Sequence, residues 1–177
     1  MKKIKVSEII LVSQILKTAK YTELANSDKA KLLRITLAMK DVADKFEADT
    51  KAVADKLKET EFKTYDEHLA KAQEYEELLR TKGDMSKSPI GAAEYEKFIE
   101  EEFKPLNKLV DDTMKPSAEK EVEIKEEPLS ESAFENFMAS NDWTIGQIVY
   151  LRSYLVEEKK KEAAAPAEDK AKKSKKK

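Results

Sequence analysis

From residue 27 to residue 82 the chain contains neither glycine nor proline, the two residues that most readily end a helix. Inside that stretch Leu32, Ile35, Met39, Val42, Phe46, Val53 and Leu57 recur in steps of three and four, with one missed beat at Asp49. Such a seam belongs to a long amphipathic helix that packs lengthwise on other helices. Asn26-Ser27-Asp28 supplies a capping signal ahead of it. Ala30, Leu33 and Leu37 form a second apolar face on its first half, which is therefore expected between two partners. The second half is apolar on one side only. Its stripe of Phe46, Val53 and Leu57 is the expected docking place for another molecule.

The neighbouring segments extend a helical plan. Lys3 to Val6 alternates charged and apolar residues, the period of a half-buried strand. Ser7 can cap a helix from Glu8 with Ile9, Val12, Leu16 and Ala19 in one stripe, paired to the long helix as an αα-hairpin. After a break near residues 60–63, Thr64 and Glu67 match a capping box. The helix they open carries Tyr65, Leu69, Ala72, Tyr75 and Leu79, and Gly83 is placed to stop it in the left-handed conformation. Tyr95, Phe98, Ile99 and Phe103 form the next face, Pro105 kinks or restarts the helix, and Pro116 ends it after Met114. Glu121 to Lys125 alternates like the N-terminus and with the opposite charge to Lys3 and Lys5, which favours pairing the two stretches into a ribbon. Ser132/Glu135 and Thr144/Gln147 are two further capping boxes. The second opens a helix with Ile145, Ile148, Val149, Leu155 and Val156 on one side. Tyr150 and Tyr154 lie off that side, facing a partner or packing on the other helices.

The expected fold is mainly α: a domain of about six helices over residues 1–157 with strands near 3–6 and 121–125. Residues 158–177 form an Ala/Lys-rich basic tail with no apolar pattern, expected to be disordered. Charged residues make up 40% of the chain against roughly 25% in an average globular protein, so charge runs read first as solvated helix faces. The 34 basic and 36 acidic residues are unevenly placed: from Glu157 onward nine lysines face five acids, leaving 25 basic and 31 acidic residues in the body.

Chemistry-bearing patterns are scarce. Without cysteine there is neither a disulfide nor a thiolate site. His68 is the only histidine and reads as an ordinary boundary residue. Asp111-Asp112 and Glu100-Glu101-Glu102 lack calcium-loop spacing, and Gly83, Gly91 and Gly146 stand singly, so no phosphate-binding loop is formed. No catalytic, cofactor-binding or metal-binding residue is therefore expected, and the chain reads as a non-enzyme. Trp143 reads as a core plug between two helices. The six lysines Lys170, Lys172, Lys173, Lys175, Lys176 and Lys177 offer phosphate contacts without base stacking, or act only as a solubilising tail. The basic start is interrupted by Glu8, Gln14 and Lys17, so it does not read as an export signal. No apolar run is long enough to span a membrane.

Three stretches carry a resemblance: Lys3 to Ile9, Ala19 through Phe46, and Phe134 to Leu151 with Asn141-Asp142-Trp143-Thr144-Ile145-Gly146-Gln147-Ile148. Together they resemble small uncharacterised helical proteins of tailed phages of gut Bacteroidales, the crAss-like phages and their relatives. The resemblance covers about two-thirds of the chain and brings no catalytic residue. It implies a phage virion structural or assembly component, in the bacterial host cytoplasm or the virion, with phage proteins or a second copy as partners. The alternative expectation is a nucleic-acid-associated protein acting through the lysine tail.

Overall fold

The structure, a computed structural model, describes residues 2–156. The elements follow as β1 (Lys2–Lys5), α1 (Val6–Leu16), α2 (Asn26–Thr60), α3 (Tyr65–Arg80), a 3₁₀ turn (Met85–Lys87), α4 (Ala92–Phe98), a π-helical turn (Ile99–Phe103), α5 (Lys104–Ala118), β2 (Glu121–Ile124), α6 (Glu131–Ala139) and α7 (Ile145–Leu155). α4, the π turn and α5 run on as one rod, so the described residues make six helical rods. With one small antiparallel sheet, this is the mainly helical fold that the long seam implies. The sheet pairs Lys3 with Glu123 and Lys5 with Glu121, the opposite-charge pairing expected of the two alternating stretches. Ile4 and Ile124 are buried on its covered face.

Two hydrophobic clusters divide the molecule. The first gathers Ile9, Val12 and Leu16 of α1, Leu32, Ile35 and Met39 of α2, Phe134 and Phe137 of α6, and Leu151 and Leu155 of α7 over the ribbon. The second holds Tyr65 and Ala72 of α3 with Phe98, Leu106, Val110 and Met114 of the α4–α5 rod. α2 spans both.

The π turn explains how the rod serves the second cluster. At about 100° per residue, a regular helix would carry Phe98 and Met114 roughly 160° apart around the axis. A π turn absorbs one extra residue, which returns Tyr95, Phe98, Leu106, Val110 and Met114 to one face about 80° wide. The Lys104 N–H reaches back to the Ile99 carbonyl. Pro105, at the start of α5, neither breaks nor restarts the rod, and Pro116 is accommodated in the last turn, which runs to Ala118.

Several helix ends differ from the sequence expectation. Ala25, extended at φ −62° and ψ 152°, is the N-cap of α2, and no side chain caps it. The Asn26-Ser27-Asp28 signal is absorbed into the first turn. α1 begins two residues before Glu8, whose carboxylate accepts from the Lys5 N–H at 3.1 Å, and it ends at Leu16, so Ala19 lies in the following turn. Thr64 makes no capping bond at ψ 0°, and Glu67 pairs with Lys71 instead. Ser130 caps α6, its Oγ accepting from Ala133 N–H at 3.2 Å, two residues ahead of the expected Ser132. The Thr144/Gln147 box forms as read, with bonds of 3.3 and 2.9 Å. At the end of α3 the left-handed residue is Lys82 (φ 53°), not Gly83. The Gly83 N–H still closes the turn on the Leu78 carbonyl at 2.8 Å. A Cβ at Gly83 would lie 2.8 Å from Leu78 Cδ2, the movable end of a side chain.

Two predicted faces are also reassigned. Leu33 and Leu37 are 55% and 50% exposed, so the first half of α2 has one internal partner face rather than two. On α7, Leu151, Leu155 and Val156 are buried while Ile145 and Val149 point outward. A stripe of i, i+3, i+4 residues exists on either side of this short helix, and the chain buries the one that meets Phe134 and Phe137.

Candidate functional site

The pairing that sequence spacing could not show joins His68 of α3 to Glu102 of the π turn, 34 residues away, at 2.6 Å. A carboxylate only accepts, so His68 Nδ1 carries the proton and donates. The extra residue of the π turn lets Glu102 sit half-buried, whereas Glu100 and Glu101 stay exposed beside Lys104 and Lys97. Glu102 Oε2 is buried with no hydrogen-bond partner among the described residues. A cavity of about 320 Å³ adjoins the pair, lined by Lys71, Ile90, Glu94, Lys97, Phe98 and Glu101. It holds no serine, threonine or cysteine to act as a nucleophile. Among the described residues no group of three or more His, Asp and Glu could hold a metal. The pair bridges α3 and the rod, and His68 lies half-buried at their boundary.

The residues singled out for docking fall elsewhere than expected. Phe46, Val53 and Leu57 are half-buried and packed on the second cluster. The stripe is thus mostly occupied from within the chain, because the α4–α5 rod lies along it. Tyr150 and Tyr154 pack edge-to-face with centroids 4.9 Å apart and lie against the first cluster. Burial raises both phenols above their ordinary value, Tyr154 the more strongly. Trp143 is half-buried, edge-on to Phe137 at 4.9 Å. Lys170, Lys172, Lys173, Lys175, Lys176 and Lys177 lie outside the described residues.

The apolar surface that sequence reasoning missed lies on α7 and α1. Ile145 and Val149, one turn apart, are 82% and 60% exposed. Beside them an open groove of about 650 Å³ runs between α7 and α1, where Trp143, Tyr150, Leu11 and Ile15 share the lining with polar Gln14, Thr18, Asp142 and Gln147, and Leu11 is half-exposed. Asn141, the neighbour of Asp142 in the groove lining, links two turns. Its side-chain amide donates to the Lys20 and Phe137 carbonyls at 2.9 and 2.8 Å, and its Oδ1 accepts from Lys20 N–H at 2.7 Å. Ser140 adds a bond from Glu23 N–H at 3.1 Å. The turn after α6 is thereby fixed to the turn after α1. The signal for this surface was present in Ile145 and Val149, both apolar and one turn apart, but their exposure depends on which α7 stripe is buried.

No family model, curated protein or solved structure matches the chain.

Proposed function

We propose that the chain is a non-enzymatic helical protein–protein interaction protein, acting in the structure or assembly of a tailed-phage particle through the α1–α7 face. The observation that carries this reading is the pair Ile145 and Val149, exposed together on α7 beside the groove that separates it from α1. Burying such side chains in a partner yields about 1.5–3 kcal/mol each, and exposed apolar clusters on fixed elements are characteristic of contact sites. The phage setting rests on the three resembling stretches, two of which meet where Asn141 and Ser140 bond to Lys20 and Glu23. No helix among the described residues is long and apolar enough to cross a membrane.

The test is cross-linking and mass spectrometry of purified particles and assembly intermediates of the phage that carries the gene. The chain is expected there, linked to another particle protein through α1 or α7. Ile145→Glu/Val149→Glu should fold with an unchanged melting temperature yet lose that link. Absence from both fractions, or full incorporation of the double variant, would overturn the reading.

A second reading is supported by six lysines in the last eight residues: phosphate contacts to nucleic acid by the tail. Binding should then fall steeply with salt and vanish on truncation at Ala163. Affinity unchanged by the truncation would remove it.

A further inference from the structure

No helix-breaking residue ends α2 at Thr60. The segment 61–64 is Glu61-Phe62-Lys63-Thr64, without glycine or proline, and Thr64 makes no side-chain capping bond to α3. α3 lies antiparallel to the α4–α5 rod, with His68 against Glu102 and Tyr75 against Tyr95. The later part of the same rod packs Leu106, Val110 and Met114 with Phe46, Val53 and Leu57 of α2. The rod therefore splints the two helices, and α3 runs on past the end of α2 instead of folding back along it. Between them the backbone steps aside. The Phe62 and Tyr65 N–H groups donate to the Leu57 and Phe62 carbonyls at 3.2 and 2.9 Å, where a regular helix would send them to Lys58 and Glu61.

A few side chains hold this step. Lys58 Nζ donates to Asp66 at 2.8 Å and lies 5.0 Å from the centre of the Tyr65 ring, and that ring is 5.5 Å from Phe98. Phe62 is half-buried on the second cluster. In an unbroken helix Lys58 and Asp66 would stand about 12 Å apart along the axis. Phe62 would point about 140° away from Leu57, off the rod. The Lys58–Asp66 bond and the Phe62 contact thus belong to the stepped form alone.

We propose that the α2–α3 joint is a two-state hinge whose second state is one unbroken helix from Asn26 to Arg80. That state gives the N–H groups of residues 62–65 regular partners four residues back, and gives up the Lys58–Asp66 bond and the Phe62 contact. The joint thereby couples the length of the helix to the exposure of an aromatic side chain.

Backbone NMR on the full chain tests this. Relaxation dispersion, which reads exchange on the microsecond-to-millisecond scale, should find a minor state centred on residues 58–66 with helical Cα shifts at 61–64. Lys58→Ala, which removes one exposed pair, should raise its population roughly two- to fivefold. Lys58→Ala/Phe62→Ala should move the ground-state shifts of 61–64 visibly toward helical values. Lys63→Pro is the opposite lever. Position 63 is the second residue of the Phe62–Tyr65 turn, where proline is favoured, whereas inside a helix it clashes with the carbonyl of residue 59. It should keep the stepped form and abolish the exchange. Shifts at 61–64 that stay unchanged in Lys58→Ala/Phe62→Ala, or exchange that persists in Lys63→Pro, would overturn the proposal. Ile145 and Val149 take no part in it, so this idea and the α1–α7 reading can fail separately.

Discussion

The two halves of the molecule bury apolar residues to different depths. Sixteen residues are buried in the first cluster, drawn from four helices, the ribbon and the loops around them, and Ile9, Val12, Leu32, Met39 and Phe134 are wholly enclosed. The second has six, ringed by half-buried Phe46, Val53, Leu57, Phe62 and Tyr95. α2 shows the contrast within one element: Leu32, Ile35 and Met39 are its buried residues, and all lie in its first half. An element enclosed on several sides excludes water from its apolar face. Helices laid side by side leave their edges wet, and Tyr75 stacked on Tyr95 at 4.9 Å, with the Tyr95 hydroxyl donating to Glu76, is such an edge. The first cluster is the folding core, and the second is a helical annex built onto the projecting end of α2.

The sharpest way to break this comparison is to empty each cluster. Phe134→Ala, wholly enclosed, should cost toward the upper end of about 3–5 kcal/mol in denaturant unfolding, and Phe98→Ala, buried but ringed by half-buried neighbours, toward the lower end. Equal losses would refute the distinction. Native-state hydrogen exchange should next show α3 and α4 opening at lower free energy than α1 and α6; uniform protection would contradict it. Caps extend the contrast to single bonds. Thr144→Ala, which removes a formed box, should cost about 1 kcal/mol, whereas Thr64→Ala in the annex should change stability by less than about 0.5 kcal/mol. Lys82→Gly should stabilise by about 0.5–1 kcal/mol by relieving the left-handed backbone, observed as a higher denaturation midpoint.

The smallest effect concerns alkali. Tyr150 and Tyr154 in the core and Tyr65 in the annex are all held above the ordinary phenol value, burial being the largest cause. A raised value favours the protonated folded form. The associated stability is thus present below about pH 10 and lost as pH rises through the folded values. Tyr154→Phe should flatten that decline in unfolding measured above pH 10, and an unaltered slope would show that the decline has another origin.

What could be read from the residues alone follows a physical line. The α2 seam, the ribbon and the Thr144/Gln147 box depend on neighbours within a few positions, or on two short stretches of opposite charge. The α7 face was misread because both of its stripes are apolar, and only contact with Phe134 and Phe137 decides between them. Asn26 and Thr64 were misread as caps because turn geometry, set by the packing of adjacent helices, took precedence over side-chain preference. The His68–Glu102 pair was invisible for a further reason: it needs a fold that brings residues 34 positions apart together, and a π turn that no spacing rule announces.

That turn also sets how the chain can change over time. Removing one residue from 99–103 would restore a regular helix with better local hydrogen bonding, yet swing Leu106, Val110 and Met114 by about 100° away from the annex. Within Ile99–Phe103 the exposed Glu100 and Glu101 tolerate substitution, but the length of the turn is not free to change. The segment is therefore expected to drift in composition among descendants of this sequence while insertions and deletions accumulate elsewhere, in the exposed loop around Gly83 to Lys87.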